Sequence, residues 1–150
     1  MILDLFALKR RGLESESFFF EYNPENDLLD IPGARIKEPI KINGEVVLTG
    51  KHSAVVYGEV AFVIEGDCTR CLSETEREYV VEFKESCSSE EEGAYSVVND
   101  KINLDKIVED TVITNQPMTL LCKDDCKGIC VGCGVNLNDA ECKCKIKEGK

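Results

Sequence analysis

The sequence has almost no histidine and none of the common nucleotide-binding or hydrolase motifs. Its single histidine, His52, lies in the segment TGKHSA between two predicted strands. A loop histidine is more often an exposed side chain than a catalyst, and a Cys–His nucleophile that uses His52 is the remaining catalytic alternative. The patterns Gly-x-x-x-x-Gly-Lys-Ser/Thr, Gly-x-Gly-x-x-Gly and Gly-x-Ser-x-Gly do not occur. We therefore expect a protein that is not an enzyme.

Long apolar runs are also missing. No stretch approaches the roughly 20 apolar residues that span a bilayer, and the N-terminal basic residues follow the short apolar run MILDLFAL instead of preceding it, unlike a secretory signal. We expect a cytoplasmic protein, in which thiols stay reduced. The odd number of cysteines, nine, also fits poorly with a fully paired disulfide framework. Metal binding is the favoured use of these cysteines.

Positive charge is scarce. The chain has 18 Lys and Arg against 29 Asp and Glu, a net charge of −11. Residues 1–122 hold 12 basic and 24 acidic residues, a balance of −12, whereas residues 123–150 hold 6 and 5, a balance of +1. The short basic cluster Lys9–Arg11 is interpreted as a solvated turn. This charge disfavours a phosphate backbone and favours a basic partner, although acidity that serves only solubility is an equal alternative.

The middle of the chain predicts an antiparallel meander of at least three strands. The segments GEVVLTG, AVVYGEVAFVIEG and EREYVVEFKES alternate apolar and polar residues with period two and are separated by glycines. We also expect strands over residues 1–8 and 16–22 and a loop over NPENDLLDIPG. The acidic run Glu90–Glu92 indicates a solvated loop.

A single helix is predicted after residue 102. Asn103 can cap it, Pro117 ends it, and the apolar stripe on one face consists of Leu104, Ile107, Val108, Thr111 and Val112. The fold class is therefore α+β, a mainly antiparallel sheet with one or two helices and a C-terminal cysteine-rich zinc module. We expect a β-rich domain over residues 1–117 and a metal-binding module over 118–150 packed on it.

Eight of the nine cysteines fall into two groups, the pair CTRC at residues 68–71 and six cysteines within residues 122–144, as expected for metal ligands. A Cys-x-x-Cys turn lets both sulfurs face one metal ion while backbone N–H groups point at the thiolates, and the glycine after the second pair relieves crowding where the chain turns. Cys87 stands apart and is interpreted as a small apolar residue at a strand end. The candidate ligands are Cys68, Cys71, Cys122, Cys126, Cys130, Cys133, Cys142 and Cys144.

The spacing leaves the ligand sets open. One four-thiolate site could come from the short segment that holds Cys122, Cys126, Cys130 and Cys133, with the last Cys-x-Cys pair replacing two of them. Alternatively, the CTRC pair of the hairpin could meet a C-terminal pair and clamp that segment onto the sheet. All-sulfur coordination is typical of zinc, or of iron in a rubredoxin-like site. A closed four-thiolate site has no position for water and is therefore structural.

The order of these features resembles the YceD family, the large ribosomal RNA subunit accumulation proteins. The resemblance rests on CTRCL after a β segment, the helix INLDKIVEDTVI, the run LCKDDCKGICVGCGVNLN and the final CKC, over about residues 44–144. Two departures are Val131, where many relatives have proline, and KIKEGK, where relatives often have an Asp-Pro-Arg segment and a leucine-rich helix.

The resemblance implies a bacterial cytoplasmic protein that supports 23S ribosomal RNA accumulation and large-subunit biogenesis, with the cysteines as metal ligands and no catalytic residues. Together with the charge, it leads us to expect a basic ribosomal protein as partner and only indirect or weak RNA contact. The rivals are a rubredoxin-like or thiol-switch redox protein and a single-strand RNA binder that uses the lysine-bearing C-terminal segment.

Overall fold

The structure, a computed structural model, describes residues 1–90, 95–142 and 144. Glu91 and Glu92 of the predicted acidic loop, and most lysines of the last segment, lie outside these residues. Among the described residues no helix is long and apolar enough to cross a membrane. In chain order the elements are β1 (Ile2–Asp4), α1 (Leu5–Arg10), β2 (Ser15–Tyr22), β3 (Ala34–Gly50), β4 (Ser53–Asp67), β5 (Glu74–Ser88), β6 (Tyr95–Ser96), β7 (Lys101–Asn103) and α2 (Leu104–Asn115).

Five strands form the main sheet in the order β2-β3-β4-β5-β6. The first four strands pair antiparallel with their sequence neighbours, and the short β6 pairs parallel with β5. β1 and β7 form a separate antiparallel pair. Two helices and this mainly antiparallel sheet confirm the predicted α+β class.

The period-two alternation separates the two faces of the sheet. On β4 the side chains of Val56, Val60, Phe62 and Ile64 are buried, whereas Tyr57 and Glu59 point to the other face and are exposed. Helix α2 covers the buried face, and all five residues of its predicted stripe are buried. The side chain of Asn103 accepts a hydrogen bond from the Asp105 N–H, which confirms the predicted N-cap.

The long strand β3 contains two local features that its sequence explains. Its pairing with β4 shifts register between Lys37 and Lys41, so Pro39 lies at an irregularity where no ladder N–H is needed. Farther along, Gly44 and Gly58 face each other so closely that a Cβ on Gly44 would lie 2.1 Å from the Tyr57 carbonyl oxygen. The tight approach of β3 and β4 therefore requires glycine at this crossing.

The predicted strand over residues 1–8 is wrong beyond Asp4. The Asp4 carboxylate accepts a hydrogen bond from the Ala7 N–H at 3.0 Å and starts helix α1. Leu5 and Leu8 then lie one helical turn apart and are both buried. The basic cluster, predicted to be a turn, closes this helix, and Lys9 pairs with Asp100 at 2.9 Å.

Candidate metal centres

The first Cys-x-x-Cys loop joins β4 to β5. The Cys68 N–H donates to the Ser73 carbonyl at 2.9 Å, and the Leu72 N–H donates to the Cys68 carbonyl at 2.9 Å. Leu72, directly after the second cysteine, has a positive φ of 61°. These bonds reverse the chain tightly and place the sulfurs of Cys68 and Cys71 on the same side of the turn.

The second Cys-x-x-Cys loop repeats this backbone pattern. The Cys130 N–H donates to the Val135 carbonyl at 2.9 Å, and the Gly134 N–H donates to the Cys130 carbonyl at 2.8 Å. Gly134 occupies the left-handed position with φ of 75°, as expected for the glycine after the second cysteine. The two loops are therefore the same structural unit, which the sequence shows only as two Cys-x-x-Cys pairs.

The first cluster joins the β4–β5 loop to the segment after α2. Cys68 Sγ lies 3.7 Å from Cys126 Sγ, and Cys71 Sγ lies 3.6 Å from Cys122 Sγ. The four sulfurs all lie within 4.8 Å of one another. Three of these cysteines are buried, and Leu121 and Ile129 pack against them. This arrangement can hold one metal ion between the sheet and the C-terminal segment.

Several polar contacts fix the C-terminal segment on this loop and on β5. The Thr69 N–H donates to the Leu120 carbonyl at 2.8 Å, and Arg70 Nη1 donates to the Cys126 carbonyl at 3.1 Å. Arg77, on β5, forms an ion pair with Asp124 at 2.7 Å. The position of the Cys122 and Cys126 thiols therefore depends on contacts with the hairpin as well as on the cluster itself.

The second cluster is local to the C-terminal segment. Cys133 Sγ lies 3.8 Å from Cys142 Sγ, and Cys130 Sγ lies 3.1 Å from Cys142 Sγ and 3.9 Å from Cys144 Sγ. These four sulfurs also lie within 4.8 Å of one another, but Cys133 is exposed and only Cys130 is buried. All its cysteines come from residues 130–144, so this cluster, unlike the first, includes no cysteine of the β4–β5 loop.

The sulfur separations agree with tetrahedral coordination. Four thiolates at about 2.3 Å from one ion would stand about 3.8 Å apart along each edge of the tetrahedron. Four of the five sulfur–sulfur separations given above are between 3.6 and 3.9 Å, and the shortest, 3.1 Å, still exceeds a disulfide bond of about 2.05 Å. The donor set fits a soft or borderline metal ion at each cluster.

The backbone of each loop makes one thiol unusually acidic. Burial opposes ionisation of Cys68, but the N–H groups of Cys71, Cys122 and Arg70 point at its sulfur and lower its pKa to about 6. In the second loop, the N–H of Cys133, the Cys142 thiol and the N–H of Gly132 lower the pKa of Cys130 to about 6. Each cluster therefore offers a thiolate near neutral pH, the form that binds metals.

A comparison with protein families gives a match that spans both cysteine clusters. The model of the family described as "Large ribosomal RNA subunit accumulation protein YceD" matches residues 56–150, a range that includes all nine cysteines. The chain belongs to the YceD family. No solved structure matches it.

Similar curated proteins include two mycobacterial relatives and one plant relative. Uncharacterized protein Rv2926c of Mycobacterium tuberculosis is 33% identical over 92 residues, which cover 55% of this chain and 44% of that protein. Uncharacterized protein ML1660 of Mycobacterium leprae is 27% identical over 92 residues, 55% of this chain and 42% of that protein. The chain thus spans less than half the length of these relatives. A third, "Large ribosomal RNA subunit accumulation protein YCED homolog 1, chloroplastic" of Arabidopsis thaliana, is 38% identical over 48 residues, 32% of this chain and 15% of that one.

The structure of this YceD chain divides the predicted site residues into two sets. It separates Cys122 and Cys126 from Cys130 and Cys133, so these four sulfurs do not lie together. The hairpin pair meets Cys122 and Cys126, as in the clamp alternative, and the last Cys-x-Cys pair takes the place of Cys122 and Cys126 beside Cys130 and Cys133. Cys87 is buried in the core, as predicted. His52 is 52% exposed. That these eight cysteines bind metal stays a prediction, as does the domain boundary after residue 117.

Sequence reasoning gave no role to Asn138, which supports the first cluster. Its side-chain amide lies 3.3 Å from Cys126 Sγ and donates to it, and its side-chain oxygen accepts from the Lys127 N–H at 2.9 Å. A donor to a ligating sulfur orients the ligand and stabilises its thiolate form. The sequence signal that could have identified Asn138 is the motif NLN at residues 136–138, which lies in the segment on which the family resemblance rests.

Proposed function

We propose that this chain is a non-enzymatic factor of the bacterial cytoplasm that supports accumulation of 23S ribosomal RNA and assembly of the large ribosomal subunit. The observation that carries the proposal is the family match, which runs through both cysteine clusters and whose printed description is large ribosomal RNA subunit accumulation. The Arabidopsis relative has the same description in its name.

Structural zinc at both clusters is part of the proposal. Each cluster offers four cysteine sulfurs, and among the described residues no histidine or carboxylate joins them. Four thiolates would saturate a tetrahedral ion and leave no position for a catalytic water. Cys68, Cys71, Cys122 and Cys126 would hold one ion, and Cys130, Cys133, Cys142 and Cys144 the other. The metal would supply folding energy and cross-links, which supports a role without catalysis.

A basic ribosomal protein is the proposed partner. The chain has a net charge of −11, and each four-thiolate zinc unit carries about −2, so neither the sheet nor the metal-binding segment attracts a phosphate backbone. A field of this sign speeds association with cationic proteins and slows association with nucleic acid. Protection of the RNA would then be indirect, through the protein that binds it.

The biological test is complementation. In a bacterium that lacks its own family member, this chain should restore the ratio of 23S to 16S ribosomal RNA, and a Cys71→Ser/Cys126→Ser variant should restore less. The Cys87→Ala variant is the matched control because that cysteine lies outside both clusters. An unchanged ratio with and without the chain would contradict the proposal.

The chemical test separates zinc from redox iron. Purified protein from zinc-supplied cells should be colourless and should contain two equivalents of zinc. A red protein with one iron per cluster would favour the rubredoxin-like alternative, and a metal-free protein with eight reactive thiols would contradict both. Binding to a panel of basic large-subunit ribosomal proteins and to 23S RNA fragments, at matched ionic strength, then tests the partner.

A further inference from the structure

The outward face of the main sheet stays accessible although it carries apolar side chains. Tyr57 on β4 is 40% exposed and Val80 on β5 is 57% exposed, and the outward residues Val47 and Val55 are half-buried. The pairing register places Val47 opposite Val55 on this face. Exposed apolar residues that lie together on a sheet, unlike scattered ones, indicate a contact surface.

A groove of about 810 Å³ crosses this face over β3, β4 and β5. One end is lined by Val47 and Val55, and Tyr57 lies between that end and Glu59, two residues farther along the same strand. The register places Glu59 directly opposite Glu82 on β5. The groove therefore has an apolar end and an acidic end, separated by the ring of Tyr57.

The two glutamates of this groove are not neutralised by an ion pair in the part of the chain that the structure describes. Like charges directly opposite each other on adjacent strands destabilise a sheet. Lys84, which also lines the groove, lies opposite Tyr57 and forms no ion pair among the described residues. Two carboxylates against one ammonium leave the groove with a net negative charge.

Other charges on this face keep it acidic. Glu45 lies opposite Tyr57 and accepts a hydrogen bond from its hydroxyl at 2.6 Å, and this bond lowers the pKa of Glu45. Of the other cations on this face, Arg35 and Lys37 at its far end are paired with glutamates at 2.6 and 2.9 Å, and Lys41 lies opposite Glu21 of β2. These cations are therefore engaged elsewhere and do not offset Glu59 and Glu82.

We propose that this groove binds an extended segment of a basic protein, with a lysine or arginine side chain between Glu59 and Glu82 and an apolar side chain on Val47 and Val55. The inference rests on the proposed function, because it assigns the surface through which the basic ribosomal partner is held. The exposed ring of Tyr57, which lines the groove, can contact both the cation and its aliphatic stem.

Charge complementarity selects this occupant over two others. An RNA segment would bring phosphates against carboxylates, without the lysines and arginines that replace counterions in RNA binding. A second copy of the chain, docked through the same face, would bring Glu59 and Glu82 of both copies together, since a two-fold interface joins identical patches. A cationic polypeptide removes the repulsion that the isolated chain retains.

The test compares two double variants with the same change in net charge. Glu59→Gln/Glu82→Gln alters the groove, and Glu25→Gln/Glu90→Gln alters exposed glutamates outside it. The probe is the basic ribosomal protein that the wild-type chain binds most tightly in the panel. We expect binding about tenfold weaker for the groove variant, since a desolvated carboxylate pair contributes more than distant surface charge, and less than twofold weaker for the control.

The apolar half of the groove has its own pair of variants. Val55→Thr keeps the β-branched shape in the groove but adds a hydroxyl, and Val63→Thr makes the same change on the same face outside it. Only Val55→Thr should weaken binding, by roughly three- to tenfold. Circular dichroism of each variant verifies that the sheet is intact.

The possible results of these measurements test the groove assignment and the proposed function separately. If the wild-type chain binds a ribosomal protein and the groove variants bind as tightly as their controls, the groove assignment is overturned and the proposed function stands. Equal weakening by the groove and control charge variants also overturns it, because bulk charge then explains binding. If the wild-type chain binds no basic ribosomal protein but binds 23S RNA fragments, both the groove and the proposed partner are overturned.

Discussion

Replacing Cys71 by serine should destabilise the whole sheet, whereas the same substitution at Cys133 should not. Cys71 belongs to the cluster that ties the β4–β5 loop to the segment after α2, and its cross-link to Cys122 spans 51 residues. Cys133 belongs to the cluster within the C-terminal segment, and its cross-link to Cys142 spans 9 residues. Each variant removes one sulfur from a four-cysteine cluster, and the clusters differ in the length of chain that they join.

The magnitudes follow from loop closure in the unfolded chain. By the chain-entropy relation used for disulfides, a cross-link over 51 residues contributes about 4 kcal/mol to the free energy of unfolding. For a protein of this size that corresponds to a decrease in Tm of about 8–16 °C for Cys71→Ser. The second cluster meets the hairpin through a hydrogen bond from Asn136 to Ser73 at 3.1 Å, worth about 1 kcal/mol. Cys133→Ser should therefore lower the Tm of the sheet by at most about 4 °C.

The assay combines thermal melting with amide exchange on zinc-loaded protein. Zinc content should fall from two equivalents to one in both variants, which shows that each substitution removes one metal. Amides of β4 and β5 should lose protection in Cys71→Ser and keep it in Cys133→Ser, while residues 130–142 lose protection in Cys133→Ser. Equal decreases in Tm, or full protection of β4 and β5 in Cys71→Ser, would refute the idea that the first cluster joins the sheet to the C-terminal segment.

Three further predictions follow from the cysteines and their loops. Zinc affinity, followed with a chromogenic chelator, should decrease as the pH falls from 8 to 5, because ligands such as Cys122 and Cys144, whose pKa values are raised to about 12, must release protons when the metal binds. The decrease should become steeper below about 6, where Cys68 and Cys130, whose pKa values are lowered to about 6, also take up protons. Affinity that is constant from pH 8 to 5 would contradict this. Cys87 should resist alkylation at pH 8 in the folded, metal-free protein while the cluster thiols react, because burial raises the pKa of Cys87 to about 11. Peptide mapping by mass spectrometry measures the labelling of each cysteine, and rapid labelling of Cys87 would show that the core opens. Gly134→Leu should destabilise the second loop by about 1–2 kcal/mol, measured by amide exchange, whereas Leu72→Gly should be tolerated or slightly stabilising. Both positions have a positive φ, which only glycine adopts without strain. A destabilised Leu72→Gly variant would indicate that a contact of the Leu72 side chain contributes more than the relief of backbone strain.

The elements that the sequence predicted best are those in which local pattern and tertiary packing agree. Strand β4 and helix α2 have long, regular apolar patterns with capping or turn residues at their ends, and both form where expected. The prediction of a strand over residues 1–8 was wrong because the apolar residues fit both the period of a strand and that of a helix. A strand would accommodate Leu3, Leu5 and Leu8 as well as a helix does. Two features determine the outcome: β1 pairs with the distant β7 only as far as Asp4, and the Asp4 side chain caps the helix that follows.

The grouping of the cysteines could not be predicted because it depends on long-range geometry. The spacing of Cys122, Cys126, Cys130 and Cys133 permits one local site as readily as two. What separates them is the position of the segment after α2 against the β4–β5 loop, which is fixed by contacts such as Arg77 with Asp124, 47 residues apart. The groove on the outward face was invisible for the same reason, since Glu59 and Glu82 become neighbours only through the register of two strands.

The span of the first cluster has a consequence for synthesis on the ribosome. The strands β2 to β5 pair with their sequence neighbours, so this meander can form progressively as the chain emerges from the ribosome, N-terminus first. Cys68 and Cys71 are then exposed at the tip of a finished hairpin until Cys122 and Cys126 have been translated, 51 residues after Cys71 in the case of Cys122. At about 5–20 residues per second this interval lasts roughly 3–10 seconds. The nascent chain thus presents half of a metal site, two thiols that are open to oxidation or to a wrong metal. The second cluster, whose cysteines all lie within 15 residues, is translated completely in roughly 0.7–3 seconds at the same rate.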